Sequence, residues 1–290
     1  MSILYHYTSA DALLGMLNLC SKSNPYMTFW ASYETCMNDT QENIEGYNYC
    51  LTLLPKIEEA LMLNEQEKFS KLLSSSLFDE IVKKTVTYSN ASKISSTPHY
   101  IISLSKISDL LPMWRMYAGC NGLCIGLDRE IIETNGTNLL DCIYNQEKIP
   151  AEVFDDIVIA LTEIYKRVLK LEFDNNSNKN EDIISIKKAY LLRLRIKDYL
   201  AYFIKNRSYI YEQEARIVLP ENDNILYRGS KGAIIPYIEY KLPIEALKEI
   251  IVGPTQNFNY IEEPILKLLK SKDIDIEGII IKHSQVPYRE

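Results

Sequence analysis

The sequence is poor in the signatures that identify common enzyme classes. Its 290 residues include only three histidines and two tryptophans. It has no phosphate-binding G-x-x-x-x-G-K-S/T loop, no dinucleotide-binding G-x-G-x-x-G sequence and no H-E-x-x-H zinc motif. P-loop hydrolysis, Rossmann-type oxidoreduction and zincin chemistry are therefore unsupported.

Cysteine patterns and long apolar runs are also missing. None of the six cysteines forms a C-x-x-C pair, and no histidine lies near enough in sequence to complete a zinc module. No apolar run approaches the roughly 20 residues that span a bilayer. The beginning of the chain lacks a basic segment followed by an apolar core. We expect buried, reduced thiols in a cytoplasmic protein without membrane contact.

The composition is that of a globular protein, with 47% hydrophobic and 24% charged residues. A formal charge of -7 argues against general coating of duplex DNA, although it allows a local basic groove. The 21 tyrosines are numerous enough to supply both core packing and stacking on a base or nicotinamide ring.

Strand-like segments lie near both ends of the chain, and helical patterns occupy two blocks between them. The first segment, Ile3–Thr8, alternates so that Tyr5 and Tyr7 lie on one face while His6 and Thr8 lie on the other. The order is not a regular β-α-β alternation. We predict one α+β domain over residues 1–290, with a mixed, mostly antiparallel, split sheet and helical insertions at about 40–90 and 150–205.

Six ordered pieces resemble the bacterial DUF2971 family: LYHYTS, FWASYETCMNDTQE, IISLSKISDLLPMWRMYAGCNGLCIGLD, YEQEARIV, IIVGP and HSQVPYR. Two positions depart from the family pattern. Thr40 replaces the proline of N-D-P-x-E, and Ala215 replaces the tryptophan of E-x-E-W-R. The charged positions are present in both motifs, whereas packing residues differ.

The same pattern is similar to the ADP-ribosyltransferase superfamily, which grips NAD with a few residues on a split sheet. The resemblance implies Glu214 as the central carboxylate, Glu212 as the residue that orients the acceptor, and His6 as the residue that holds NAD. A carboxylate near the ribose would stabilise the oxocarbenium character that develops as the nicotinamide bond breaks. The implied NAD-binding residues are Tyr7, Thr8, Ser103, Ser105, Trp114, Tyr117 and Arg216.

Each of these positions also has a structural interpretation. A lone strand histidine such as His6 is commonly a packing residue. Ile210, Glu212, Glu214 and Arg216 alternate on one predicted strand face, which could equally be an exposed surface with cross-strand ion pairs. Trp114 and Tyr117 lie three apart on a predicted helix and could belong to the core.

Further candidates lie in two polar segments. Asn38, Asp39 and Glu42 could form a helix cap and capping box, or could direct carboxylates into the site. Ser284 and Arg289 in the closing segment could reach the same site.

The sequence therefore predicts an NAD-using, ADP-ribosyltransferase-like enzyme without a metal cofactor. Its acceptor would be a protein, a nucleic acid or a small molecule, and the resemblance implies a role as a toxin or in anti-phage defence, with a partner protein from the same operon. One alternative is a non-catalytic module that senses a nucleotide or binds a protein. Another is a metal-dependent nucleic-acid enzyme that uses Asp39, Glu42, Glu212 and Glu214. We expect His6 and Thr8 to face the same pocket as Glu212 and Glu214.

Overall fold

The chain forms two compact units. The computed structural model describes residues 2–37, 42–85, 98–136, 138–144, 151–171, 181–199, 203–230 and 232–288. The first unit comprises Met1–Met37, Pro98–Cys142 and Tyr211–Glu290, and the second comprises Asn38–Thr97 and Ile143–Ile210. The second unit overlaps the two segments that the sequence analysis treats as helical insertions.

The first unit is built on one large sheet, and its mostly antiparallel pairing confirms the predicted α+β class. The strands of the chain are β1 Ile3–Thr8, β2 Tyr26–Tyr33, β3 His99–Ser105, β4 Leu123–Asp128, β5 Asn138–Asp141, β6 Ile143–Tyr144, β7 Ile204–Lys205, β8 Glu214–Pro220, β9 Leu226–Ser230, β10 Ala233–Pro243, β11 Leu247–Val252 and β12 Ile280–His283. The sheet order is β12-β11-β4-β1-β3-β2-β10-β9, with β8 paired to β3 and to β5. Of these pairs, β11 and β12 run parallel.

The α-helices are α1 Ala10–Met16, α2 Glu42–Ala60, α3 Ser70–Leu73, α4 Phe78–Thr85, α5 Leu111–Met113, α6 Arg129–Thr134, α7 Ala151–Leu169, α8 Glu181–Tyr199 and α9 Phe258–Ser271. A π-helix, Trp114–Ala118, follows α5 directly. Short 3₁₀ helices span Glu34–Cys36, Arg207–Glu212 and Ile244–Ala246. None of the described helices combines the length and the apolar character that a membrane span requires.

Local sequence signals account for several helix ends. The Ser9 hydroxyl accepts a hydrogen bond from the backbone N–H of Ala12 at the start of α1. The Asp128 carboxylate accepts one from Glu130 N at the start of α6. Both residues satisfy N–H groups that a helix leaves unpaired at its first turn.

The large sheet has an apolar face and a polar face. The core face carries alternate strand residues that pack into one buried cluster, including Leu4, Leu104, Leu127, Ala215 and Ile250. The opposite face, which we call the polar face, carries Tyr5, Ser103, Ser105, Glu214 and Arg216, because successive strand side chains point to opposite sides. The same face also carries a smaller buried apolar cluster that includes Tyr7, Cys124 and Ile251.

The sheet divides at β3. One edge of β3 pairs with β8 along its whole length, from His99 to Ser105. The other edge is shared, because Ser105 lies opposite Tyr5 of β1 while Ile101 lies opposite Ser32 of β2. The two strands thus leave β3 at different points, and Ser103 lies at the division.

The second unit is helical, with its own buried core formed by residues of α2, α3, α4, α7 and α8. Its buried carboxylate, Glu58, accepts four hydrogen bonds, from Phe69 N, Ser70 N, Ser70 Oγ and the Tyr165 phenol. A buried carboxylate satisfied by four donors in this way holds α3 against α2 and α7, and this is a structural role.

Candidate functional site

A row of five residues crosses the polar face of the sheet. Cross-strand pairing places Glu249 of β11 beside Gly126 of β4, Gly126 beside Tyr5 of β1, Tyr5 beside Ser105 of β3, and Ser105 beside Glu214 of β8. Directly opposed residues share a face and lie within about 5.5 Å of each other. The row therefore brings a tyrosine between two small residues, with a glutamate at either end.

Glu214 at one end of this row forms a buried ion pair. Arg216 Nε lies 2.8 Å from Glu214 Oε1, and Arg216 Nη2 lies 3.0 Å from Oε2. The Glu214 side chain is 5% exposed and the Arg216 side chain is 1% exposed. Desolvating two charges costs more than a hydrophobic replacement of similar volume would, so the pair fixes geometry rather than adding net stability.

Glu212 reaches the same face from outside the strand. The expected strand face of Ile210, Glu212, Glu214 and Arg216 is wrong, because Arg207–Glu212 is a 3₁₀ helix and β8 begins at Glu214. Gln213 has a left-handed φ of 40° and its carbonyl accepts from Lys106 N. The turn thus breaks the alternation between the two glutamates.

Two contacts fix Glu212 despite this turn. The Ser105 hydroxyl donates to the Glu212 carbonyl at 2.7 Å, and the Tyr117 phenol donates to Glu212 Oε1 at 2.7 Å. The Glu212 side chain is buried. Glu212 and Glu214 consequently hold two buried carboxylates on one side of the β3–β8 pair, one beside a phenol and the other beside a guanidinium.

Tyr117 is carried by the π-helix, not by an ordinary α-helix. Trp114 at the first position is fully buried and packs edge-on against Tyr7, with ring centroids 5.1 Å apart. Tyr117 is half-buried and reaches Glu212. A π-helix is rare and is frequently found at functional sites. Trp114 is thus part of the core, whereas Tyr117 belongs to the polar cluster.

His6 and Thr8 lie on the core face, and the expectation that they share a face with Glu212 and Glu214 is wrong. His6 lies opposite Ile125 and Thr8 opposite Leu123, and both partners belong to the apolar cluster. The physical reason is the two-residue period of β1, which puts Tyr5 on the polar face and turns its neighbours away.

The His6 ring connects β1 to β3 at the point where the sheet divides. Its Nδ1 lies 3.2 Å from the carbonyl oxygen of Ser103, and its ring packs edge-on against Phe29 at 5.6 Å. Because a carbonyl only accepts, Nδ1 carries the hydrogen. Loss of hydration lowers the pKa of His6 below its usual 6.5, although the bond to Ser103 opposes this shift. His6 is a neutral tie between β1 and β3.

The two serines of β3 differ in their surroundings. Ser105 is fully used, since it donates to Glu212 O and its hydroxyl oxygen accepts from Ile107 N at 3.0 Å. Ser103 lies opposite Arg216, and its buried hydroxyl has no hydrogen-bond partner among the described residues. An unsatisfied buried hydroxyl on the polar face is a position where a ligand atom could bind.

Of the other predicted residues, two make hydrogen bonds within the protein, and the rest lie outside the described residues. Tyr7 donates to Ile107 O at 3.0 Å and accepts from Leu110 N at 3.1 Å, so its phenol is engaged by the backbone. Ser284 is buried and donates to Asp109. Asn38, Asp39, Arg289 and the side chain of Glu42 lie outside the described residues.

Tyr5 is the residue that the sequence argument missed. It lies beside Ser108 and Glu249, and Glu249 Oε2 is 3.1 Å from Lys282 Nζ. A Cβ on Gly126 would lie 3.1 Å from the Tyr5 ring and 2.9 Å from Glu249 Cβ, so only glycine leaves space for both. The alternation of β1 already separated Tyr5 from His6, but nothing local indicated which face would be polar.

Tyr5 should make stability depend on alkaline pH. Burial and the nearby Glu249 raise its pKa from 10.0 to about 12. The unfolded chain releases this proton at lower pH than the folded chain, so the contribution is complete below pH 10.0 and is lost as the pH rises towards 12. Urea midpoints at about pH 9 and about pH 11 measure the loss.

The Tyr5→Phe variant is the matched comparison for this titration. It should lose less stability over the same interval, because it has no phenol to titrate there. Other groups with raised pKa values, among them Tyr47, Tyr100 and Cys50 at about 12, titrate in both proteins and contribute to the remaining slope. Identical slopes in the two proteins would contradict the assignment.

Within the described ranges, no group of three or more His, Cys, Asp or Glu side chains is arranged to hold a metal ion. In the polar cluster, the Glu212 carboxylate accepts from Tyr117 and the Glu214 carboxylate accepts from Arg216.

The model of the family described as "Protein of unknown function (DUF2971)" matches residues 113–217. The resemblance inferred from the motifs is thus confirmed over the π-helix, β4 and the E-x-E-x-R segment. Comparison with curated proteins and with solved structures gives no match.

Proposed function

We propose that this chain, whose residues 113–217 match DUF2971, is an ADP-ribosyltransferase-like enzyme that binds NAD on the polar face of its large sheet. One observation carries the proposal. Two buried carboxylates, Glu212 and Glu214, lie on one side of the β3–β8 pair, where Tyr117 and Arg216 hold them in fixed positions. Placing charged groups away from water costs free energy, and functional sites are where such arrangements concentrate.

The reaction would break the bond between ribose C1′ and the nicotinamide nitrogen. Nicotinamide leaves with the bonding electrons, a nucleophilic oxygen or nitrogen of the acceptor attacks C1′, and the acceptor gives up its proton to a base. Positive charge develops on the ribose as the bond lengthens. A fixed carboxylate close to the ribose stabilises this charge in a site that excludes water.

Glu214 is the proposed carboxylate near the ribose, and Glu212 would orient the acceptor, in the order that the family resemblance implies. Both oxygens of Glu214 accept from the Arg216 guanidinium, which fixes the position of this carboxylate. The Tyr117 phenol donates to Glu212 Oε1 and orients the second carboxylate.

The test is NAD turnover and transfer of labelled ADP-ribose to cell extract. We expect Glu214→Gln to lower kcat by about a hundredfold or more, because it removes a charge needed only in the transition state. The KD for NAD should change little. Glu239→Gln, at an exposed position of β10, is the matched control and should leave turnover unchanged. The proposal fails if the wild-type protein neither binds NAD, nor hydrolyses it, nor transfers the label.

A non-catalytic nucleotide-binding module is the second candidate. The bidentate Glu214–Arg216 ion pair favours this second candidate, because such a pair is a common structural element. NAD or another nucleotide would then bind with a measurable KD, and no nicotinamide would be released. The same experiment therefore separates the two functions.

A further inference from the structure

Asp109 holds together three parts of the first unit. Its Oδ1 accepts hydrogen bonds from Trp114 Nε1 and from Ser284 Oγ, each at 2.6 Å. Its Oδ2 accepts one from the backbone N–H of Gln285, also at 2.6 Å. Hydrogen bonds to an ionised carboxylate are short and about twice as strong as those between neutral groups. A single side chain thus anchors the start of the π-helix and the segment that follows β12.

The π-helix, a rare conformation, is anchored at its first residue. Trp114 is fixed at one end by Asp109 and by its edge-on contact with Tyr7. Tyr117, three residues later, projects its phenol onto Glu212 at 2.7 Å. A rotation of the π-helix would therefore withdraw the phenol from the carboxylate.

The segment after β12 packs over the same region. Val286 and Tyr288 contact the buried cluster that includes Tyr7 and Trp114, and to which Tyr5 and Tyr117 are also packed. The Arg115 guanidinium lies over the Tyr288 ring, 5.7 Å from its centroid. The segment has few backbone hydrogen bonds, the first being from Ser284 N to Val252 O. Side-chain contacts, with Asp109 at their centre, hold it in place.

We propose that Asp109 is a positioning residue for the proposed reaction. It sets the register of the π-helix, and through Tyr117 it fixes the orientation of the Glu212 carboxylate. Asp109 would act through Trp114 and Tyr117. This inference rests on the proposed function for its kinetic consequence, whereas its structural part is measurable without any activity.

A double-mutant cycle tests the kinetic part. Asp109→Ala removes both acceptor oxygens, so all three hydrogen bonds are lost. We expect Asp109→Ala and Tyr117→Phe each to lower kcat about tenfold to a hundredfold, with the KD for NAD changed less than about twofold. The combined variant should be no slower than Tyr117→Phe alone, because both changes act on one contact. Effects that multiply would overturn the proposal.

Hydrogen exchange of the full-length protein tests the structural part. Asp109→Ala should raise the exchange rates in residues 114–118 and 284–288 by about tenfold, since both segments lose an anchor. Asp128→Ala is the control, because it removes another carboxylate that accepts a backbone hydrogen bond, at the start of α6. That variant should leave both segments unchanged.

The two arms fail independently. Unchanged exchange in Asp109→Ala overturns the positioning role whether or not the protein uses NAD. A wild-type protein without NAD turnover removes the proposed function, while the exchange experiment still decides whether Asp109 anchors the π-helix.

Discussion

Replacing Arg216 with methionine is expected to lower the free energy of unfolding by about 3–5 kcal/mol. Methionine approximates the length of the arginine stem but leaves the Glu214 carboxylate buried without its bidentate partner. The side chain of Glu214 is 5% exposed, so water cannot replace the guanidinium without opening the fold. Because small domains are stable by only about 5–15 kcal/mol, this single change removes a large part of the total. Urea denaturation at neutral pH measures the loss.

The combined variant Glu214→Gln/Arg216→Met separates the pair from simple packing. It removes both members of the Glu214–Arg216 ion pair, so we expect it to recover stability relative to Arg216→Met. A combined variant that is less stable than Arg216→Met would show that the arginine acts through contacts other than Glu214. The combined variant should still lack NAD turnover, because Glu214 is the proposed carboxylate near the ribose.

Gly122→Ala is expected to lower the free energy of unfolding by about 3 kcal/mol or more. This is the upper end of the usual range for overpacking, about 1–3 kcal/mol. An added Cβ would lie 2.3 Å from Thr8 O and 2.5 Å from Ala118 O. Both are backbone atoms that cannot rotate away. The change presses on β1 and on the last residue of the π-helix, so the contact of Tyr117 with Glu212 should weaken as well.

Gly229→Ala is the matched control for this prediction. Nothing lies within 4 Å of a Cβ built at Gly229, and its φ is not in the left-handed region. We expect its free energy of unfolding, measured by urea denaturation, to equal that of the wild type within about 0.5 kcal/mol, as for most surface substitutions. Equal midpoints for Gly122→Ala and the wild type would mean that the loop between the π-helix and β4 adjusts freely.

Much of the secondary structure follows from local pattern. Periodic apolar residues predicted the helical blocks in which α2, α7 and α8 lie, and alternation predicted β1. Ser9 and Asp128 are residue types that cap helices and each precedes a helical segment, and the side-chain oxygen of each accepts a hydrogen bond from a backbone N–H of that helix. These features depend on residues a few positions apart, so a single sequence contains the required information.

The polar cluster was only partly predictable. The E-x-E-x-R segment, Ser105 and Tyr117 were chosen from the sequence, and the structure brings them together. The strand predicted through Ile210 and Glu212 is instead a 3₁₀ helix followed by a left-handed Gln213. That turn is held by Lys106 N and Ser105 Oγ, about a hundred residues away in sequence, and no local pattern reports such contacts.

The sequence alone determined that Tyr5 and His6 lie on opposite faces of β1, because side chains in a strand alternate with a period of two. Only the tertiary structure decided which face is polar. The pairing of β1 with β3 and β4 sets Tyr5 beside Ser105 and Gly126, and turns His6 towards Ile125 and Phe29. Register is fixed by contacts between strands far apart in the chain, and a shift of one residue would exchange the two faces. The site therefore contains Tyr5 in place of the histidine that its sequence made conspicuous.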